Sequence, residues 1–175
     1  MAVQQVLRMG HPLLLSRAPE VNQIESLEIQ QLIQDMRDTM QALCGAGIAA
    51  PQIGVSLRVI IFGIHQNERY PDVEEIPETV IINPHITFLS EEKEQGWEGC
   101  LSVPNMRGLV PRYTSIRYSG YDEKGQFIEQ EAHDFHARVV QHEVDHLDGI
   151  LYPQRIEDMQ YFGFESENFP PNNNN

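Results

Sequence analysis

Cysteine is scarce in this chain: 175 residues contain only Cys44 and Cys100. Two thiols cannot build the disulfide framework of a small secreted domain, and in a reducing compartment each is free to be a ligand, a nucleophile or a small core residue. Basic residues are few as well. Twelve Lys and Arg stand against 26 Asp and Glu, a formal charge of -14. That balance opposes general affinity for nucleic acid phosphates or anionic membranes, so neither DNA nor a membrane is expected as a partner. Long apolar runs are missing too. Leu13, Leu14 and Leu15 follow His11 and Pro12, far short of the roughly 20 residues of a membrane span, so no signal peptide is read and a cytoplasmic location is expected. With no internal repeat or domain seam, residues 1–169 are read as one domain. Residues 170–175, Pro-Pro-Asn-Asn-Asn-Asn, are expected to be a disordered tail.

What is present reads as alternating helix and strand. Ser26 is placed as an N-cap, with Ile29, Leu32, Ile33, Met36, Met40 and Leu43 at helical spacing behind it, giving a helix over residues 27–43 that stops before Gly45. Residues 57–64 read as a buried strand and 67–78 as an acidic surface loop. Residues 79–89 read as a strand interrupted at Asn83-Pro84, where the proline favours an edge, a bulge or a turn. Glu91, Glu92 and Glu94 mark a further loop. Residues 113–121 and 126–131 pair across a turn at 122–125. A second helix runs from about residue 132 or 133 to 147, with Gly149 as its stop.

That second helix carries His142-Glu143-Val144-Asp145-His146. Residues four apart on a helix share a face, their Cβ atoms about 6 Å apart, so both imidazoles can reach one metal ion with Glu143 beside it. A solvated helix with two histidines is the plainer alternative. A catalytic metal site needs three protein ligands and an open position. No histidine follows His146, and Glu157, Glu165 and Glu167 sit in no ligand motif. Upstream, Cys100 lies in Glu-Gly-Cys-Leu-Ser, where Gly99 lets the backbone approach closely and an ion would stabilise the thiolate. Cys100 is therefore the candidate third ligand.

Three blocks in this order resemble peptide deformylase: residues 45–54 its GxGxAAxQxG block, 98–102 its EGCLS block and 141–146 its QHExDH block. The likeness covers roughly residues 6–153. It implies removal of the formyl group from N-terminal formylmethionine of new polypeptides, with release of formate. By that resemblance Cys100, His142 and His146 hold one divalent metal, usually Fe2+ with Zn2+, Ni2+ or Co2+ able to replace it, which acidifies water for attack on the formyl carbon. Glu143 serves as general base and then acid, and the Gln52 amide and Leu101 N–H hold the oxyanion. It further implies a substrate cleft formed by Gly47, Ile48, Trp97, Glu98, Gly99, Arg107, Phe135 and Val139. Arg138 stands where many relatives are apolar, either capping the pocket mouth or facing solvent. Glu98 is expected to pair with Arg107 or Arg112. The partners implied are N-formyl-methionyl nascent peptides and a transient ribosome association, for which the acidic segment beyond Pro153 offers no basic surface. A protease-like metallohydrolase and a metal-stabilised binding protein remain as alternatives. Glu143 argues against the latter, because a closed structural site gains nothing from a carboxylate that is not a ligand. The fold expected is α+β: antiparallel strands around a central metal-binding HExxH helix in a single compact domain.

Overall fold

The computed structural model describes residues 3–64 and 75–168. The expected tail at 170–175 and most of the acidic loop at 67–78 therefore lie outside the described residues. Every strand pair is antiparallel. One sheet has the order β1 (Gly47–Ala49), β2 (Val59–Ile64), β3 (Ile76–Phe88), β6 (Ser115–Tyr121) and β7 (Phe127–His133); the other has β4 (Lys93–Cys100), β5 (Val103–Tyr113) and β8 (Phe162–Phe164). Helices α1 (Leu27–Ala42) and α2 (Asp134–Leu147) complete the expected α+β arrangement, followed by the single turn α3 (Glu165–Asn168).

Strand β2 explains why its sequence reads as an unbroken apolar run. Val59 and Ile61 point to one face of the sheet, where they pack with Ile29, Leu32, Ile33 and Met36 of α1. Ile60, Phe62 and Ile64 point to the other, where Ala137, Val140 and Leu147 of α2 cover them. The strand is thus buried on both sides, as a period of two demands when two helices sandwich one sheet. Ile33 and Met36 are wholly buried, and side chains of that size contribute about 2 kcal/mol each relative to exposure.

The helix ends follow local chemistry. Ser26 accepts the Ile29 N–H at 3.4 Å, as an N-cap should. At the other end of α1 the left-handed residue is Cys44, at φ 51°, and Gly45 follows it. The Cys44 and Gly45 N–H groups close back on the Gln41 and Met40 carbonyls at 3.2 and 3.0 Å, a Schellman closure. Helix α2 ends at Gly149 with φ 74°, and a Cβ there would also lie 2.6 Å from the Leu15 carbonyl carbon. The Leu147 carbonyl accepts from Ala18 N and from Arg58, which also pairs with Asp148 at 2.7 Å. The C-terminus of α2 is thereby tied to the N-terminal segment and to β2's entry.

Several boundaries differ from expectation. Residues 76–78 belong to β3 rather than to the loop before it. Residues 93–113 form the β4–β5 hairpin, of which only a short segment around Trp97 stood out, and residue 113 closes β5 instead of opening β6. β8 and α3, unforeseen beyond Pro153, fold back so that β8 pairs with Met106, Arg107 and Gly108 of β5. The Asn83-Pro84 interruption is a bulge, with the register of β3 against β6 shifting between Ile82 and His85.

Asn83 holds that bulge in the left-handed region at φ 54°. Its side chain clasps the Val21 backbone, accepting from N at 2.9 Å and donating to O at 3.0 Å. Asn83→Ala is expected to lose both bonds and to strain the backbone, costing about 2–3 kcal/mol. Asn83→Gly keeps the backbone comfortable and should cost less. Urea unfolding of the two variants measures the difference; equal losses would mean that the backbone conformation carries no part of the effect.

Candidate metal centre and active site

The two halves of the site come from two elements. β4 delivers Cys100 at its end, where Leu101 and Ser102 turn the chain into β5. α2 delivers His142, Glu143 and His146 from its buried face. The Cys100 Sγ lies 3.3 Å from His146 Nε2, and one ligand atom from each of Cys100, His142 and His146 falls within 4.8 Å of the others. The imidazoles stand nearly perpendicular, with ring centroids 5.0 Å apart.

The surroundings fit a cation. His142 Nδ1 faces Glu98 Oε2 at 2.8 Å, which leaves Nε2 toward the other two ligand atoms, and such an outer carboxylate is the usual partner of a metal-binding histidine. His146 is pushed well below the ordinary imidazole value, first by burial and then by the charge of His142, so it offers a neutral nitrogen lone pair. For His142 burial acts downward, but its hydrogen bonds to Cys100 and Glu98 outweigh it and raise the group. Thiolate and imidazole donors in this number suit a single divalent transition metal.

Glu143 is buried, and its Oε2 has no partner among the described residues. Burial raises its carboxyl to about 7, against the charge of His142, which lowers it. Gly47 on β1 makes room for it, because a Cβ there would overlap the Glu143 carboxylate. Gln52, in the 3-10 turn Ala50–Ile53, is also buried. Its Oε1 accepts the Ala49 N–H at 2.8 Å, which fixes the amide so that Nε2 points at Cys100 Sγ (3.4 Å) and Ser102 Oγ (3.1 Å).

A cleft over these atoms is walled by Gly45, Ala46 and Gly47 on one side, Trp97, Glu98, Gly99 and Leu101 on another, and Phe135, Val139, His142 and Glu143 of α2. Two of the expected cleft residues lie elsewhere. The Ile48 side chain is wholly buried in the core beneath α1, because a strand residue beside Gly47 must face the opposite way. Arg107 packs behind Gly99 and donates to Glu165 at 3.1 and 2.9 Å, outside the cleft lining. Glu98 accordingly takes Arg112, with bonds of 2.9 and 3.0 Å. Arg138 does not face solvent; it is buried among the residues that line the cleft and donates to Glu98 at 3.0 Å.

Sequence reasoning passed over Asp145 and Arg155. Asp145 accepts Arg112 at 2.5 Å and Arg155 at 2.7 Å, extending the ion network away from the cleft. The available signal was an acidic residue inside a helix that is otherwise buried on that side. Ser102, quoted within the EGCLS block but given no role, is the hydroxyl that Gln52 reaches.

The Polypeptide deformylase family model matches residues 3–161. A peptide deformylase of Nitrosomonas europaea is 58% identical over 168 residues, 96% of each chain. One from Bordetella pertussis is 56% identical over 168 residues, again 96% of each. Among solved structures, the Met-Ala-Ser-bound class I type b peptide deformylase from Acinetobacter baumannii gives a TM-score of 0.85 at 43% identity, covering 89% of this chain and 99% of that one. Peptide deformylase from Ehrlichia chaffeensis gives 0.82 at 30% identity, covering 91% of each.

The Glu98 network should be costly to open. Glu98→Ala strips the carboxylate from buried Arg138 and one of the two from buried Arg112, and a loss of about 3–5 kcal/mol is expected on urea unfolding. Glu131→Gln, which breaks the exposed pair with Arg117 (side chains 49% and 44% accessible), serves as the control and should leave stability unchanged. Similar small losses for both would show that the buried network does not hold the site together.

Proposed function

The chain belongs to the peptide deformylase family, metal-dependent hydrolases that remove the formyl group from N-terminal formylmethionine, and we propose that Cys100, His142 and His146 hold its metal while Glu143, Gln52 and Leu101 carry out the reaction. The observation that carries this reading is the meeting of a thiol from β4 with two imidazoles from α2, beside a buried carboxylate that is not one of the three ligands. No helix among the described residues is long and apolar enough to cross a membrane. The proposal includes a cytoplasmic reaction, because new chains leave the ribosome there and a transient association with it would bring substrate near.

Hydrolysis adds water to the formyl carbon and breaks its bond to nitrogen, giving formate and the free amine of methionine. When bound, the divalent ion supplies the Lewis acidity that makes water nucleophilic near neutral pH. Glu143 takes the proton released by the attacking water and hands it to the departing nitrogen. Gln52 Nε2, already oriented by Ala49, and the Leu101 N–H on the β4–β5 turn donate to the oxygen as it becomes negative. Glu98 keeps His142 in the tautomer and orientation that present Nε2.

β1 and β4 are both edge strands and both border the cleft. An extended peptide can lie between them and hydrogen-bond to their open edges, as strand addition does elsewhere. Gly47 and Gly99 let the substrate backbone approach, and Ile48 contributes only its main chain. Trp97, Glu98, Phe135 and Val139 surround the methionine side chain, while Arg107, held by Glu165, supports Gly99 at the rim. A Met-Ala-Ser peptide bound to the Acinetobacter enzyme is what deformylation of formyl-Met-Ala-Ser would leave, which supports a peptide in this cleft.

The metal proposed is Fe2+, with Zn2+, Ni2+ and Co2+ able to take its place, since a mixed thiolate and imidazole donor set suits all four. Anaerobic purification with elemental analysis tests this directly. The iron-loaded protein should lose activity in peroxide as iron or Cys100 oxidises, while a nickel-loaded sample keeps more of it. Iron-dependent activity that survived prolonged peroxide would contradict a ferrous ion on a thiolate.

Glu143→Gln should retain the metal and lose about 10^2–10^4 in kcat on a formyl-Met dipeptide. The wild type should leave an unformylated internal peptide intact. Full turnover by the metal-loaded Gln variant would sink the assignment of Glu143, and cleavage of the internal peptide would favour the protease-like alternative.

A further inference from the structure

We infer that Arg138 is a positioning residue that locks the two halves of the metal site together, with Gly96 bare so that its guanidinium can fit. The inference rests on the reading of Cys100, His142 and His146 as the ligands. Cys100 belongs to β4 and both histidines to α2, so the spacing of the ligand set depends on how firmly that strand is held to that helix.

Arg138 lies one helical turn before His142, on the same face of α2. Its Nη2 donates to the Glu94 carbonyl of β4 at 2.7 Å, and its Nη1 to the Val110 carbonyl of β5 at 2.8 Å and to Glu98 Oε1 at 3.0 Å. Glu98 gives its other oxygen to His142 Nδ1 at 2.8 Å. Two consecutive turns of α2 thus grip one carboxylate two residues before Cys100, and Arg138 adds main-chain bonds on either side of it. A planar guanidinium can span two strands in this way; an ammonium is a single point of attachment.

Gly96 gives the arrangement its shape. A Cβ at that position would lie 2.6 Å from the Arg138 Cζ and 2.7 Å from Nη2. The guanidinium could yield only by leaving the acceptors that pin it. Arg138 also lines the cleft, but both its Nη atoms are already spent on the protein acceptors Glu98, Val110 and Glu94, which disfavours a role in reading a charged substrate. Nor is Arg138 needed simply to neutralise Glu98, since Arg112 meets that carboxylate with two bonds.

The test compares Arg138→Met, Arg138→Lys, Gly96→Ala and the double variant Gly96→Ala/Arg138→Met. Each is loaded with Zn2+, and release to a chromophoric chelator is timed beside a thermal melt followed by circular dichroism. Arg138→Met is expected to release zinc about 10–100-fold faster, the usual effect of losing an outer-shell support. Gly96→Ala should do nearly the same by expelling the guanidinium, and the double variant should be no worse than Arg138→Met alone. Arg138→Lys should recover only part of the loss. If Arg138→Met or Gly96→Ala held zinc as the wild type does, even with a lowered melting temperature, Arg138 would be a structural residue only. Additive losses in the double variant would equally overturn the pairing of Gly96 with Arg138. Should Arg138→Met fail to fold, Gly96→Ala and Arg138→Lys, which keep the positive charge, decide the matter. Zinc release is read without substrate, so this result is independent of whether formyl-Met turnover is found.

Discussion

The site depends on a carboxylate almost wholly withdrawn from water. Glu98 is 5% exposed, and removing its charge from water costs several kcal/mol unless partners replace the lost solvation. Arg112 supplies two bonds, Arg138 a third and His142 a fourth. Burial pushes Glu98 toward protonation, yet the charge of Arg112 and its hydrogen bonds prevail, and the carboxyl is held far below its ordinary range. Because those partners come from β5 and α2 while Glu98 sits on β4, satisfying one charge fixes three elements against one another. Arg112 is in turn held by Asp145 and Asp145 by Arg155, so the constraint extends along the outer side of the same helix.

Helix α2 therefore has two working faces. His142 and Glu143 line the cleft, with His146 beside them at the ligand cluster. Asp145, on the adjoining stripe, meets Arg112 and Arg155. This is how a chain with a formal charge of -14 comes to place guanidinium groups around its centre. Arg112, Arg138 and Arg155 share the carboxylates of Glu98 and Asp145, so they serve geometry.

What could be read from the sequence was what is local. The His142–His146 spacing, the Glu98–Ser102 block and the Gly45–Gly54 block each span only a few residues, so they could be picked out without knowledge of the fold. The two helices were legible because their apolar periods are clean, and β2 because its burial on both faces removes any alternation. The β4–β5 hairpin was obscured: Gly96, Gly99, Gly108, Pro104 and Pro111 interrupt its pattern, and its polar residues are often buried partners such as Glu98 and Arg112. β8 is three residues long and gains its identity only by pairing with β5. The burial of Arg138 was invisible for a different reason. Nothing within a helix tells which strand carbonyls will stand opposite a long cationic side chain, and the one local hint, Gly96, lies 42 residues away.

The same logic of omission governs Glu143. A carboxylate placed beside a metal will tend to become a fourth ligand unless its position is fixed by something else. Here β1 passes so close that only a glycine fits at residue 47, and the neighbouring Ile48 is drawn into the core under α1. The strand therefore holds its bare backbone against Glu143. The cleft wall and the Glu143 carboxylate are set by one contact, which the GxG spacing makes available and the burial of Ile48 keeps in place. A burial that raises Glu143 to about 7 would be a liability for a purely structural acid, but it suits the proton transfer proposed for this group. Two bare positions, Gly47 against Glu143 and Gly96 against Arg138, thus do what added side chains could not: each lets a charged group from α2 reach its working position.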